Sequence, residues 1–240
     1  MAEPKKWVML ENNPEVMNQL ASKLGLSPDL AFHDVWSLDD PSLLSLIPRP
    51  ALALLVIMPK TPAWDADRRA QAASMDDYAG AGPDEPVIWF KQTIGNACGS
   101  IGLLHCAING PAASHIAPGS DLDRIRRAAI PLHQKERAQM LYDDAGFEAA
   151  HKACERIGDT APTSEGHNGQ HFVAFVKVDG RLWELEGDRK GPMDRGALAD
   201  DEDVLSPRAL ELGFKRVIKL EQDAGGEDLR FSCIALARKT

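Results

Sequence analysis

The chain is poor in cysteine, in long apolar runs and in basic residues, and each shortage closes off a class of protein. Four cysteines in 240 residues, Cys98, Cys106, Cys154 and Cys233, show neither the close pairing of a zinc site nor the density of a disulfide-stapled secreted domain, so reduced thiols are expected. The longest apolar stretch, ALALLVIM from Ala51 to Met58, falls well short of the roughly 18 residues a membrane span needs and reads as a buried strand. The first residues lead straight into Trp7-Val8-Met9-Leu10, too short for the apolar core of a secretory signal, so a cytoplasmic location is expected, with the nucleus as an additional one. Basic residues are outnumbered: 27 Lys and Arg against 36 Asp and Glu leave a net charge of -9, which disfavours nucleic acid and anionic membranes and favours a basic partner. His33, His115, His133, His151 and His167 lack ligand spacing to one another, so neither a metal site nor a cofactor is expected.

What remains is a mixed α/β order within one domain spanning 1–240, its 44% hydrophobic residues sufficing for a sizeable core. Trp7 to Leu10 reads as a first strand. Asn13-Pro14 opens a helix with Val16, Leu20 and Leu24 at helical spacing, and Gly25 stops it. A strand over His33 to Ser37, a helix over Pro41 to Leu46, the central strand Ala51 to Met58 and a helix over Thr61 to Ala79 follow. Pro131 to Gly158 holds a long helix whose charged face includes Lys135, Glu136, Arg137 and Lys152, and Ile157 to Gly169 is a polar loop. HFVAFVKV and RLWELEGD flank Asp179-Gly180, a two-residue hairpin signal. A helix over Asp201 to Gln222, broken or begun near Pro207, and a strand over Leu229 to Ala237 close the chain.

The chemistry concentrates around QTIGNACGSIGLLHCAING, from Gln92. Asn96 is a good helix cap and Ile101, Leu104 and Ile108 form a stripe, so Cys98 sits in the first turn, where unpaired N–H groups and the helix dipole favour the thiolate. Gly95 and Gly99 leave room for a substrate backbone. A buried structural Cys fits the same local pattern equally well. A nucleophile needs a base, and His171 supplies one. If Val178 faces Arg181 across the turn, outward counting puts His171 opposite Asp188 and diagonal to Glu186, both on its face of the sheet; either acid could hold the imidazole. Gln92 could donate its side-chain amide to an oxyanion, together with the Cys98 N–H, though a surface Gln capping a loop fits as well.

The run from Gln92 through Cys98 to Leu103, with His105, closely resembles the active-site signature of the ubiquitin carboxyl-terminal hydrolases, a family of papain-like cysteine peptidases. The likeness continues in Leu10-Glu11-Asn12-Asn13-Pro14-Glu15-Val16-Met17, in Ile47-Pro48-Arg49-Pro50, and in the hairpin from His171 through Trp183-Glu184-Leu185 to Gly191-Pro192. The resemblance implies Cys98 as nucleophile, His171 as base and then acid, and Gln92 as oxyanion donor. It departs at the fourth position: where the family has an Asp fifteen residues after the His and before a Gly, this chain has Glu186 before Gly187. Glu186 is the expected third member, with Asp188 as substitute.

The resemblance further implies a central, mostly antiparallel sheet flanked by helices, a knotted backbone, and a crossover loop over the active site at Gly158 to Gly169. About a dozen residues there suggest small adducts or peptide extensions as leaving groups. The chain is expected to lack a long carboxyl-terminal docking extension and to act as a monomer. The implied partner is ubiquitin, whose tail is basic and ends in two glycines, with Leu10, Glu11, Asn12, Asn13, Pro14 and Glu15 as candidate contacts. Another ubiquitin-like modifier, a catalytically weak ubiquitin-binding module and a redox thiol protein are the rival readings; the third is weakened by the absence of a Cys-x-x-Cys spacing. His105 is read as packing.

Overall fold

A strand covered on both faces has no polar side to show, and ALLVIMP at Ala53–Pro59 is buried at every position, so this apolar run becomes the middle of a sheet. The architecture comes from a computed structural model, which describes residues 4–158, 169–226, 228 and 230–239. In chain order the elements are α1 (Pro14–Leu24), β1 (Leu30–Asp34), α2 (Pro41–Leu44), β2 (Ala53–Pro59), α3 (Pro62–Ala73) and α4 (Cys98–Ile108). After a 3-10 turn at Gly110–His115 come α5 (Asp121–Ala129), α6 (Gln134–Tyr142), α7 (Ala145–Lys152), β3 (Gln170–Val178), β4 (Arg181–Leu185), β5 (Met193–Ala197), α8 (Pro207–Leu212), α9 (Phe214–Asp223) and β6 (Ser232–Arg238).

The strands form one six-stranded sheet in the order β1-β6-β2-β3-β4-β5, with every pair antiparallel. Successive side chains of β2 enter different cores. Leu55 and Ile57 pack with Phe172, Leu104 and the α1 residues Met17 and Leu20, while Leu54, Val56 and Met58 pack with Trp64, Leu210 and Phe214. Cys98 belongs to the first core, through α4. Among the described residues, no helix is long and apolar enough to cross a membrane.

Several elements follow directly from their caps. The Asn13 side chain accepts from the N–H of Glu15 and Val16, Pro14 fills the first turn of α1, and Gly25, at φ 97°, closes it in the left-handed conformation that a side chain disfavours. Asp179-Gly180 makes the expected hairpin turn, with Val178 opposite Arg181.

Elsewhere tertiary contacts override local signals. Trp7–Leu10 is not a strand: Lys6 bridges Gly95 alone, with the Trp7 N–H on the Gly95 carbonyl at 2.9 Å, and Trp7 stacks near Phe147 and His151. β1 lies three residues earlier than expected, at Leu30–Asp34. α3 ends at Ala73 and not at Ala79, because the chain turns so that the Tyr78 N–H meets the Lys190 carbonyl. The long helix after Pro131 is two, since Asp144 caps α7 by accepting from Phe147. Arg137, assigned to that helix's charged face, is fully buried and pairs with Glu85 at 2.7 Å. The last helical region begins at Pro207 and breaks at Gly213, while α5 and the edge strand β5 carried no signal strong enough to be expected.

Candidate active site

Cys98 is the first residue of α4, as its position predicts, but the cap differs from expectation. Ala97 stands at the cap position and makes no side-chain bond, while Asn96, at φ 61°, turns its amide to donate to the Trp7 carbonyl at 2.9 Å. The leading N–H groups of α4 therefore have no side-chain acceptor, and the dipole's positive end is left for the sulfur.

His171 lies near the start of β3, opposite Met58 in β2, and is 2% exposed. Its side chain interacts with that of Cys98, each favouring the other's charged form. Nε2–H donates to Glu186 Oε1 at 2.5 Å, which leaves Nδ1 as the nitrogen for the thiol. Burial disfavours charge on both groups, yet the thiol lies below its ordinary range because the His171 hydrogen bond and charge, the Phe172 N–H and Lys60 all favour the thiolate. On His171 the desolvation is outweighed by the Glu186 charge and the Cys98 hydrogen bond, which raise the imidazole to about 10. Each group thus favours the charged form of the other, thiolate on Cys98 and imidazolium on His171. Cys106, Cys154 and Cys233 are free and buried, and desolvation pushes each of these thiols upward. Cys98 alone among the four is poised to ionise.

The two candidate acids occupy different places. The β3–β4 ladder ends at Ala174 opposite Leu185, so the counting that set Asp188 across from His171 fails beyond that pair. The chain instead turns at Glu186, whose Oε1 also accepts the Asp188 N–H at 2.6 Å. Asp188 Oδ2 stands 4.0 Å from His171 Nδ1 and is held by Lys60 at 2.8 Å. Its carboxyl is kept below the usual range against burial by the His171 charge and the Lys60 bond.

The segment before Cys98 stitches this turn in place. Trp89 Nε1–H donates to the Glu186 carbonyl, Lys91 Nζ to the carbonyls of Asp188 and Arg189, and the Gln92 N–H to the Gly187 carbonyl at 2.9 Å. A side chain at Gly187 would lie 2.7 Å from Gln92 Cβ, so the approach needs glycine. Gln92 Nε2 donates one hydrogen to the Ile94 carbonyl at 3.2 Å, leaving the other for an oxyanion.

Other expected residues take other places. Leu10 is 3% exposed and sits under Gly99, so it is core and not a surface contact. The Asn13 side chain is spent on the α1 cap, which Pro14 extends, and Asn12 donates to the Ser232 carbonyl. Glu15 is exposed, and Glu11 lies against Gly158. His105 is buried and accepts the Phe90 N–H at 2.9 Å; desolvation and Arg137 hold it neutral, at about 3, a packing role. The crossover loop expected at Gly158 to Gly169 falls, apart from its ends, outside the described residues, as does His167. His171, Glu186 and Asp188 bring ligand atoms within 4.8 Å of one another, a grouping that linear spacing did not reveal; a metal there would compete with the thiol for the imidazole.

The geometry can be set beside known proteins. Residues 7–218 match the family model of the ubiquitin carboxyl-terminal hydrolases, family 1. Ubiquitin carboxyl-terminal hydrolase 3 of Arabidopsis thaliana is 38% identical over 98% of this chain and 96% of its own length. The human ubiquitin carboxyl-terminal hydrolase isozyme L1 is 32% identical over 95% of this chain and 97% of its own. The fold is similar to that of the Trichinella spiralis UCH37 catalytic domain bound to ubiquitin vinyl methyl ester, at TM-score 0.72, 19% identity, and coverage of 98% and 96%.

Proposed function

Because the chain belongs to the ubiquitin carboxyl-terminal hydrolase family, we propose that it is a deubiquitinating cysteine hydrolase that removes small adducts or peptide extensions from the last glycine of ubiquitin. The observation that carries this reading is the contact of an ionisable thiol at a helix N-terminus with an imidazole whose far nitrogen is 2.5 Å from a buried carboxylate.

The Cys98 thiolate attacks the glycine carbonyl. Negative charge gathers on the carbonyl oxygen, which the second Gln92 Nε2 hydrogen and the Cys98 N–H stabilise. The imidazolium of His171 gives its proton to the departing amine, which leaves a thioester on Cys98. Neutral His171 then takes a proton from water as the hydroxyl attacks that thioester, releasing the carboxylate of ubiquitin and regenerating the pair. Glu186 orients the ring and stabilises its charged form, the role an Asp holds in the family, while Asp188 is tied to Lys60.

The body of ubiquitin is assigned to the sheet end that carries His171. There β6 starts beside Asn12, and beyond β1 Trp36 is 72% exposed. Glu11 and Glu15 suit a basic tail on the same side. Release of a fluorogenic coumarin amide from the ubiquitin carboxyl terminus tests the proposal: turnover by the wild type and none by Cys98→Ala is expected. No turnover by folded wild type would leave a binding module in its place.

A further inference from the structure

The cleft at Cys98 is a cavity of about 680 Å³ whose lining departs from the character of the whole protein. On a chain of net charge -9, its lining among the described residues carries Lys5, Lys6 and Lys60 against one carboxylate, that of Asp188. Two of these lysines are already matched. Lys5 Nζ lies 2.7 Å from Glu148, and Lys60 Nζ lies 2.8 Å from Asp188. Lys6 is exposed and has no ion-pair partner among the described residues. It is held beside the nucleophile by the backbone pairing of its neighbours, Trp7 N–H on the Gly95 carbonyl and Gly95 N–H on the Lys5 carbonyl, each at 2.9 Å.

The same segment then runs past the sulfur. Met9 lines the cleft, Leu10 lies under Gly99, and Glu11 reaches Gly158, with Glu15 exposed one turn further on. The surroundings are therefore bipolar, with lysine in the cleft's lining on the Gly95 side and glutamate outside that lining, on the α1 side. A basic tail is drawn to the glutamates. The group leaving from its last glycine then lies toward Gln92, Gly95 and Lys6, on the far side of the scissile bond.

From this polarity we infer that Lys6 makes the enzyme selective for leaving groups that carry acidic residues directly after the scissile bond. The inference rests on the proposed hydrolase activity and adds a substrate class to it. An exposed ion pair contributes little, so the preference is modest and salt-sensitive, about three- to tenfold in kcat/KM between an acidic and a basic extension.

The test uses three ubiquitin fusions whose extensions begin Asp-Glu, Ser-Gln or Lys-Arg, with cleavage by the whole chain followed at low ionic strength and at about 1 M salt. The order acidic, neutral, basic is expected for the wild type, flattened in Lys6→Met, reversed in Lys6→Glu, and lost at high salt. Equal rates on the three fusions would overturn the inference, as would a preference that survives Lys6→Glu unaltered. The coumarin substrate separates the two claims: wild-type turnover of it with equal fusion rates sinks only the leaving-group selectivity, whereas no turnover of it sinks the hydrolase reading itself.

Discussion

His171 and Glu186 stand fifteen residues apart in the chain, yet Nε2 and Oε1 meet at 2.5 Å, with 2% and 0% of the two side chains exposed. A buried charge without a partner is costly, so neither group is at ease alone. Together with the Cys98 thiolate they form a line of alternating charge inside the core. The position that the resemblance assigns to an Asp carries here a side chain one methylene longer, and it stands where the chain turns just past Leu185, the last residue of the β4 ladder.

The assignment of the orienting acid is open to direct test. Glu186→Gln is expected to lower kcat/KM on ubiquitin coumarin by about 100-fold or more, since a neutral amide neither holds the imidazolium nor fixes its tautomer. Asp188→Asn leaves the Nε2 contact in place, and its expected loss is under about tenfold. If Asp188→Asn were the more damaging of the two, the orienting role would move to Asp188.

The charge state of the thiol predicts a pH profile. Cys98 lies below the ordinary thiol range, so the rate of its alkylation by iodoacetamide is expected to fall less between pH 8 and 7 than that of an unperturbed thiol, which loses nearly tenfold. His171 is raised from 6.5 to about 10. Folded above unfolded means that the stability this group contributes is complete below pH 6.5 and is lost as the pH rises through about 10. The lowered Cys98 thiol works in the opposite sense up to its ordinary value of about 9, so in wild type the two offset each other near neutral pH. Thermal unfolding is expected to change little on their account from pH 7 to 8 and to lose stability between about pH 9 and 10.5, and a curve flat over that upper range would contradict the raised imidazole.

The candidate site was legible in the sequence to the extent that it rests on local patterns: Cys98 at a helix start, a hairpin turn at Asp179-Gly180, and motif likeness for Gln92 and His171. What was not legible depended on contacts between distant segments. Asn96 carries the chemistry of a cap, but the Trp7 carbonyl claims its amide. Leu10 sits in a motif that resembles a contact surface, but packing under Gly99 makes it core. Arg137 looks like one more charge on a helix surface until Glu85, 52 residues away, meets it inside the protein.

That last pair predicts a stability difference. Arg137 and Glu85 are 0% and 1% exposed, so Arg137→Ala strands a buried carboxylate and is expected to cost about 3–5 kcal/mol in chemical denaturation. Arg127, 73% exposed in its pair with Asp123, is expected to cost under about 1 kcal/mol when replaced by Ala. Similar costs for the two would mean that Arg137 is not buried as described.

Gly187 offers a way to disturb the oxyanion site without touching a reacting group. A Cβ there would fall 2.7 Å from Gln92 Cβ and 3.2 Å from the Gln92 backbone nitrogen, so Gly187→Ala must push Gln92 away or break the N–H bond it makes to residue 187. Losing one oxyanion donor costs about 100- to 1000-fold in rate elsewhere, and displacement is expected to approach the effect of Gln92→Ala. Because both changes act on one donor, the double variant Gly187→Ala with Gln92→Ala is expected to be scarcely worse than Gln92→Ala alone. Losses that multiply in the double variant would instead place the damage at Glu186, whose backbone Gly187 continues, and a circular dichroism spectrum matching wild type would locate it there without unfolding.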